Sequence, residues 1–429
     1  MKVNLTSDPA LNTKLLQSAL DLGGTVRVET PGTYDVDGPL FIGSNTTLEF
    51  APKVFIRRGQ GGKLQPFLVN KGVLSGDWNE NIRVEGLHLS VNGVDLSHTS
   101  FYPGLRGHLS FLKVKNLVVR DYECGELVLL GYGIHICSFE NILLEKLRIE
   151  GNKDGVHISD GRYFTIRDSV FWTYDDAVAL NAYDFCLSTA VYGNLEDGLI
   201  ENCVDLNTDK HKPAGDFCRL LGGAWANWQK GMTVQNSTLA VHNGHLYSAC
   251  FPVPSPKAPA ISNVPPTHRA GIASFGDISW RYVREHRGDY EATCRRITFR
   301  NITLQKPRIG FGFTFCWGPW ALSVPSNLKM PVLEDLTFEK INCKCEMRAV
   351  FGGAFPARNV RFIDSVLRGK ILFAENCPGH KDDEYPVMDV TFQRVNIPQS
   401  GELFFFRPTT RKLKILISDC TGNGFDKVR

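Results

Sequence analysis

The sequence lacks long hydrophobic runs, a strong charge of one sign and any paired CxxC motif. No run approaches eighteen apolar residues, so we expect no transmembrane helix. The net charge of +3 is too small to predict nucleic acid or a membrane as a partner. The N-terminal residues show no basic region followed by an apolar core, so we expect no signal peptide and a cytoplasmic location. A chain that begins after a removed signal would look the same.

The twelve cysteines show no metal-binding framework, because Cys343 and Cys345 form only a CxC pair. Cys203 and Cys343 stand at apolar positions of the repeat described next, where a thiol packs as a small hydrophobic group. We therefore predict buried free thiols rather than disulfides, which suits a reducing compartment.

A short pattern recurs along most of the chain. Two or three apolar or β-branched residues precede a polar pair, often containing Asn or Asp, and apolar alternation follows. The copies lie at residues 83–90, 118–124, 143–150, 165–172, 199–206, 233–241, 298–304, 337–343, 361–367, 391–397 and 416–422. Successive copies often begin 22 to 25 residues apart. The alternation predicts strands, and the polar pair predicts tight turns.

This period determines the predicted fold. Strands without intervening amphipathic helices do not form βαβ units, and a propeller blade needs about 40 residues. A parallel β-helix with one coil per repeat fits the interval. We therefore predict an all-β fold, a right-handed parallel β-helix forming a single domain over residues 1–429, with acid-bearing coils at about 110–250.

A helix over about residues 7–24 is predicted to cap the first coil. Ser7 or Asp8 can cap it, Pro9 suits its first turn, and the pair Gly23–Gly24 ends it. Its apolar stripe consists of Leu15, Leu16, Ala19 and Leu20.

A second strand follows the repeat in the central coils, at residues 133–136, 155–158, 177–180 and 217–220. The first three are spaced by 22 residues and should stack in register. Their apolar residues then point inward, and the alternate residues His135, His157, Ala179 and Arg219 point outward. This outer row is either a groove floor or an ordinary solvated face, and composition favours the solvated face.

The residue before each of these strands forms a column of acids. The column runs through Tyr132, Asp154, Asp176 and Asp216, with His245 expected at the matching place in the next coil. Stacked coils lie about 4.8 Å apart, so Asp154 and Asp176 can reach one water.

Asp175 stands one residue off this column. Three carboxylates in one cleft should split their pKa values, which supplies the acid and base of a hydrolytic reaction. Asx turns are the alternative. Catalytic chemistry is favoured because no turn requires the additional charge of Asp175.

These residues resemble motifs of glycoside hydrolase family 28, the polygalacturonase-like β-helix enzymes. Residues 152–155, NKDG, resemble the family's Asn-Thr-Asp-Gly motif, and residues 174–180, YDDAVAL, resemble its Gly-Asp-Asp-Cys-Ile-Ala-Ile motif. The resemblance implies hydrolysis with inversion, with Asp175 as general acid and Asp154 and Asp176 activating water. We predict no metal and no cofactor.

Two family motifs are altered. Gly215-Asp216-Phe217 stands where the family has Gly-His-Gly, and His245 is the nearest histidine that could replace the missing one. The family's Arg-Ile-Lys motif has its nearest candidate at Arg269. The sequence therefore leaves open whether the sugar is a uronate or neutral.

Long loops and aromatic residues suggest how substrate is held. The loops at 182–197, 207–215 and 247–269 follow the same side of the acid-bearing coils, and walls at one end of a groove favour exo attack. Trp side chains offer flat faces to a pyranose, although any one is more often core. The candidates are Trp225, Trp228, Trp280, Trp317 and Trp320. The predicted substrate-binding residues are Asp216, Arg219, His245, His157, Lys153, Arg269, Trp225 and Trp228.

Two other functions remain open alongside hydrolysis of an oligosaccharide or polysaccharide. A calcium-dependent polysaccharide lyase could use the four acids Asp154, Asp175, Asp176 and Asp216, with Arg219 or Lys153 as base. Against it, no Arg or Lys is expected within the acid column itself. A non-catalytic glycan-binding β-helix, such as an adhesin or phage fibre, is the second. The sequence does not predict the oligomeric state.

Overall fold

Parallel strands wind into a right-handed β-helix, as the repeat predicts. The computed structural model describes residues 1–61, 65–96, 102–128, 130–207, 214–251, 259–313, 328–329, 331–353, 356–373, 388–398, 404–406 and 413–422. Within the β-helix, strands pair in parallel with strands of neighbouring coils, and these pairings follow three faces, each described below as a sheet.

The first sheet contains the strands that precede and include the polar pair of each repeat. It consists of β1 (Gly24–Val28), β4 (Thr46–Phe50), β7 (Asn79–Glu85), the second halves of β9 (Gly107–Arg120), β11 (Tyr132–Glu145) and β13 (Val156–Arg167), then β16 (Leu195–Asp205), β27 (Cys294–Leu304), β29 (Leu333–Cys343), β31 (Ala357–Ile363), β33 (Met388–Gln393) and β35 (Leu413–Ser418).

The second sheet contains the strands that follow the acid column. It consists of β3 (Leu40–Ile42), β6 (Leu68–Asn70), the first halves of β9, β11 and β13, then β15 (Val178–Asn181), β17 (Asp216–Leu221), β28 (Ile309–Phe313), β30 (Met347–Gly353), β32 (Gly369–Phe373) and β34 (Phe404–Phe406). The third consists of β2 (Gly32–Val36), β5 (Val54–Arg58), β8 (His88–Ser90), β10 (Glu123–Leu127), β12 (Arg148–Gly151) and β14 (Val170–Thr173).

The polar pair of each repeat has two separate structural functions. Its second residue turns the chain in the left-handed region, which Asn and Asp tolerate best, as at Asp168 (φ 53°) and Asn202 (φ 54°). These turns stack, and Asn202 Nδ2 donates to Asp168 Oδ1 at 2.9 Å. Its first residue alternates in charge between coils, so that Glu145 contacts Arg167 at 2.7 Å.

The apolar residues of each coil fill the bore of the β-helix. Stacked phenylalanines show the register most directly. Phe299, Phe338, Phe362 and Phe392 follow one another with ring centroids 5.0, 4.8 and 5.1 Å apart, and all four are buried. Such a column buries apolar surface along the axis, which is the main favourable contribution to folding.

The predicted capping helix is α1 (Pro9–Leu22). Asp8 is its N-cap, and its side chain accepts from the backbone amides of Ala10 and Leu11. Leu16, Ala19 and Leu20 are buried against the first coil. A second, four-residue helix, α2 (Gly72–Ser75), is the other helix of the described residues.

Neither described helix is long and apolar enough to cross a membrane. The cysteines in the part of the chain that the structure describes carry free thiols, as predicted, and most are buried.

Residues 223–292 leave the β-helix, which corrects the predicted run of coils over 110–250. The strands of this insertion pair antiparallel, except that β19 pairs in parallel with β21. They are β18 (Gly223–Ala224), β19 (Ala226–Asn227), β20 (Met232–Val234), β21 (Leu239–His242), β22 (His245–Ala249), β23 (Ala260–Ser262), β24 (Ile272–Phe275), β25 (Ile278–Glu285) and β26 (Glu291–Ala292). The copy of the repeat at 233–241 was therefore wrongly predicted as a coil. Asn243 and Gly244, both with positive φ, instead close a tight hairpin between β21 and β22.

Candidate active site

The predicted acid column is present at the start of the second sheet. Val156, Val178 and Cys218 pair in register, so the residues two positions before them are stacked. The amide of Gly155 donates to the Asp176 carbonyl at 2.9 Å, and the amide of Ala177 donates to the Asp216 carbonyl at 3.0 Å. Asp154, Asp176 and Asp216 thus occupy successive coils.

Asp175 joins this column from the side. Carboxylate oxygens of Asp154, Asp175 and Asp176 all lie within 4.8 Å of one another. The side chain of Asp175 is 29% exposed, whereas those of Asp154 and Asp176 are 5% and 4% exposed. Asp175 is therefore the member of the trio that solvent or a ligand reaches most easily.

The outward row on the second sheet is not an ordinary solvated face. His135, His157 and Ala179 are completely or almost completely buried, and the Arg219 side chain is only 27% exposed. The loop at residues 182–194 lies against this face. Its Thr189 hydroxyl lies 2.7 Å from the Ser159 hydroxyl of β13. The row is covered by inserted chain, so the expectation from composition was wrong.

Two cations lie among the acids, against the expectation that the column contains none. Lys153 Nζ contacts a carboxylate oxygen of Asp175 and lies 3.4 Å from Asp154 Oδ1. Arg219 Nε lies 3.0 Å from Asp176 Oδ2 and 3.5 Å from Asp216 Oδ2. Alternation along a strand predicts which way a side chain points, but it does not predict how far a long side chain reaches between coils.

His157 connects the column to the covering loop. Its Nδ1 lies 2.9 Å from Asp154 Oδ2, and its Nε2 lies 3.1 Å from Asp184 Oδ2. Asn181 Nδ2 also donates to Asp184 Oδ2, at 2.7 Å. Asp184 and Asn181 were not predicted as site residues. Their place in the site depends on the loop at 182–194 folding back over β13, which the strand pattern does not encode.

The buried acids differ in pKa, because the cluster contains more carboxylates than cations. Burial raises the pKa of Asp154, but Lys153 and His157 outweigh it and hold that pKa well below its ordinary value. Burial raises the pKa of Asp176 well above its ordinary value despite Arg219, and neighbouring carboxylates add to the rise. Burial also raises the pKa of Asp216. Asp154 is thus ionised, and Asp176 and Asp216 are the carboxyls most ready to retain a proton.

A buried arginine, Arg308, contacts the backbone of the acid-bearing coils. It was not predicted as a site residue. Arg308 Nη1 donates to the carbonyl oxygens of Asp175 and Ala214, at 2.5 and 3.1 Å. Its Nη2 and Nε donate to the Asp205 carboxylate at 2.6 and 3.0 Å. Ile309, the next residue, begins β28. It pairs with Asp216, which lies one coil earlier. Residues 308–310 read Arg-Ile-Gly, and the side chain of Arg308 is completely buried.

Several predicted binding residues lie away from the acids. His245 lies in β22 of the insertion and does not continue the acid column, because β28 is the strand that pairs with β17. Arg269 is exposed between β23 and β24. Trp225 is buried, and its indole nitrogen donates to the Asp289 carbonyl. The ring of Trp228 lies against the inserted sheet, bonded to Ser262.

Trp280 is buried within the insertion. Trp317 and Trp320 lie outside the described residues, as do parts of two predicted loops, 208–213 and 252–258. Of the three candidate tryptophans in the described residues, Trp225 and Trp280 are thus buried, and Trp228 packs against the insertion.

A cation could be held by the three carboxylates that converge within 4.8 Å. In this structure the Lys153 ammonium and the Arg219 guanidinium already contact them. Lys153 and Arg219 therefore offset part of the charge of the acids, and a bound metal would share the carboxylate oxygens with them.

Comparisons with known proteins agree with the fold. No family model matches the chain, and no curated protein matches it by sequence. Among solved structures, the N-terminal fragment of bacteriophage phi29 gene product 12 shares 13% identity with a TM-score of 0.57. That match covers 98% of this chain and 65% of the phage chain, so this chain spans less than two thirds of its length.

Two further structures have a TM-score of 0.50. PfbA, a surface adhesin of Streptococcus pneumoniae, is 11% identical, and the match covers 98% of this chain and 91% of that one. The family 28 exopolygalacturonase of Yersinia enterocolitica is 12% identical, and the match covers 98% and 77%. At these identities the likeness shows the fold alone, and that fold is a parallel β-helix.

Proposed function

We propose that this protein is a glycoside hydrolase that cleaves a glycosidic bond in an oligosaccharide or polysaccharide. The observation that carries the proposal is the convergence of Asp154, Asp175 and Asp176 within 4.8 Å at the edge of two stacked coils. Hydrolysis of a glycoside needs one carboxylic acid for the leaving oxygen and one carboxylate for water, and the split pKa values supply both kinds of group.

The proposed roles follow both exposure and charge. Asp175, the most exposed of the three, donates a proton to the leaving oxygen, a role taken from the resemblance to family 28, although burial makes Asp176 the carboxyl most ready to hold a proton. Asp154 is ionised, so it accepts the proton of the attacking water, and Asp176 orients that water. Arg219 and the amide of Asp216 hold Asp176, with its Oδ1 2.7 Å from the amide nitrogen.

Inversion is proposed from the resemblance to family 28. Acid and base carboxyls of inverting enzymes usually lie about 6.5–9.5 Å apart. The carboxylate oxygens of Asp154, Asp175 and Asp176 here lie within 4.8 Å of one another, which is shorter than that range. The anomer formed first is therefore the measurement that distinguishes inversion from retention.

An exo mode on short chains is proposed from the covered face of the second sheet. The loop at 182–194 and the inserted sheet are joined by buried contacts, including Arg281 Nη1 to the Ala190 carbonyl at 2.6 Å. This structure encloses the strand face that begins at Asp154 and Asp176. A covered face on one side of the acids limits the sugar units that can extend in that direction.

The test is incubation with a panel of pectic and neutral oligosaccharides, with product anomers followed by proton NMR. We expect release of a terminal sugar, and we expect Asp154→Asn to abolish it. Asp160→Asn is the matched control, because Asp160 lies at the other end of the same strand segment, in an ion pair with Arg287. Failure of the wild type on every substrate, or equal rates for Asp154→Asn and wild type, would contradict the proposal.

A polysaccharide lyase is the second candidate, since Lys153 and Arg219 lie within the acid cluster. Burial lowers the pKa of Lys153, but Asp154 and Asp175 outweigh it and hold that pKa above its ordinary value. A permanently protonated lysine is a poor base, which favours hydrolysis. Product absorbing in the ultraviolet, abolished by a chelator, would favour the lyase. Glycan binding that is retained in Asp176→Asn, with no turnover by the wild type, would favour a non-catalytic binding protein.

A further inference from the structure

His157 lies between two buried carboxylates, at 2.9 Å from Asp154 and 3.1 Å from Asp184. The three side chains are between 1% and 6% exposed. A neutral imidazole donates from only one ring nitrogen, and an ionised carboxylate only accepts. Both contacts are satisfied together when each ring nitrogen carries a proton, which makes His157 an imidazolium.

Asp184 is itself held as an acceptor. Asn181 Nδ2 donates to its Oδ2 at 2.7 Å, and the amide of Phe185 donates to its Oδ1 at 2.5 Å. The neighbouring loop residues are tied to the insertion, because the Tyr183 hydroxyl donates to the Ser237 carbonyl at 2.6 Å. The covering loop therefore fixes a negative charge against Nε2 of His157.

Of the other groups around His157, some favour its charged form and some oppose it. The Tyr132 ring of β11 is stacked on the imidazole at 4.3 Å, which favours a cation. His135 of β11 lies edge-on at 4.9 Å, and Arg106 near β9, Lys153 beside β13 and Arg219 of β17 add positive charge. Burial lowers the pKa of His157, but the bonds to Asp154 and Asp184 and their charges raise it to about 9.

The contact with His157 leaves the two carboxylate oxygens of Asp154 in different surroundings. Its Oδ2 is engaged by His157, whereas its Oδ1 is buried without a hydrogen-bond partner among the described residues. Lys153 Nζ lies 3.4 Å from that oxygen, which is longer than an ordinary charge-assisted hydrogen bond. One oxygen is thus fixed in orientation, and the other is left to accept a proton.

We propose that Asp184 is a positioning residue, which holds His157 as an imidazolium and thereby keeps Asp154 ionised with Oδ1 directed at the reacting water. This role rests on the proposed hydrolytic function. The loop at 182–194 then completes the active site electrostatically as well as covering it. Neither Asp184 nor His157 touches the reacting atoms.

The test has one readout that does not depend on turnover. In protein labelled with ¹⁵N-histidine, the ring nitrogens of His157 are assigned by their loss in His157→Gln. At pH 7.5 we expect both to show imidazolium shifts in the wild type. In Asp184→Asn we expect the apparent pKa of His157 to fall by about one unit or more. Asp160→Asn, which removes a charge at the other end of the strand segment, should leave both unchanged.

The second readout is activity. We expect Asp184→Asn to lower kcat by about tenfold to a hundredfold with little change in KM, and to move the acidic limb of the pH profile upward. A neutral His157 in the wild type overturns the proposal, as does an Asp184→Asn variant with the wild-type rate and pH profile. An imidazolium in a wild type that cleaves no substrate supports the electrostatic assignment and instead rejects the hydrolase.

Discussion

Arg308 and Asp205 form an ion pair from which water is completely excluded, with Nη2 and Oδ1 2.6 Å apart and both side chains 0% exposed. The same guanidinium donates to the carbonyl of Asp175. A charge buried in the β-helix therefore fixes the backbone at the point where the exposed acid leaves it. The pair lies under the candidate site rather than in it.

Removing one partner of this pair should be strongly destabilising. In Asp205→Asn the Arg308 charge remains buried without its counter-charge, so we expect the free energy of unfolding to fall by about 3–5 kcal/mol. Urea unfolding measures this. Glu339→Gln is the matched control, because Glu339 pairs with Arg300 at the surface and should cost about 1 kcal/mol or less. Similar losses in the two variants would contradict the role given to the buried pair.

The two adjacent acids should respond differently to the leaving group. Asp175→Asn removes the proposed proton donor, so cleavage of an oligosaccharide should fall by about 10²–10⁴-fold. In a dinitrophenyl glycoside the leaving group is dinitrophenolate, which departs without being protonated. Cleavage of this substrate by the variant should therefore stay near the wild-type rate. Rates on both substrates, measured side by side, check this.

Asp154→Asn is the comparison, since loss of the base should slow both substrates. If Asp176→Asn, and not Asp175→Asn, is rescued by the dinitrophenyl leaving group, then Asp176 is the acid. The raised pKa of Asp176 makes this the outcome that would exchange the two roles.

Gly215 packs against the acid-bearing backbone. A Cβ added there would lie 2.6 Å from the carbonyl carbon of Asp175 and 2.8 Å from the amide nitrogen of Asp176. We therefore expect Gly215→Ala to lower kcat/KM by displacing both acids. Gly244→Ala is a matched control, because its φ of +77° is also positive but no atom lies within 4 Å of the added carbon. Equal activity in the two variants would show that the close approach is unimportant.

The fold was predictable because a β-helix repeats the same pattern of apolar and polar residues in every coil. The spacing of 22 residues placed Ile134, Val156 and Val178 in register, and the structure pairs them so. The acid column followed from this register alone. The same local signal failed at residues 233–241, because alternation followed by an Asn turn also describes an antiparallel hairpin. The Asn243-Gly244 pair was the signal that distinguished the two.

The electrostatic partners of the acids were less predictable. Arg308 lies 133 residues after the Asp175 carbonyl that it contacts, and Asp184 reaches His157 through an irregular loop. Periodicity gives the direction of a side chain within one coil, whereas these contacts depend on how inserted segments fold back. The sequence therefore predicted where the acids stand, but not which groups set their charge.

The stability of the protein should depend on pH through His157. Its pKa in the folded state is about 9 and its ordinary value is 6.5, so the imidazolium stabilises the fold fully below pH 6.5. That contribution is lost as pH rises from 6.5 to 9, and its upper limit is about 3 kcal/mol. Urea unfolding at pH 6 and pH 9.5 should show wild type losing more stability than His157→Gln over this interval. The surface variant His88→Gln should follow the wild type, and parallel curves for wild type and His157→Gln would show that His157 is uncharged in the fold.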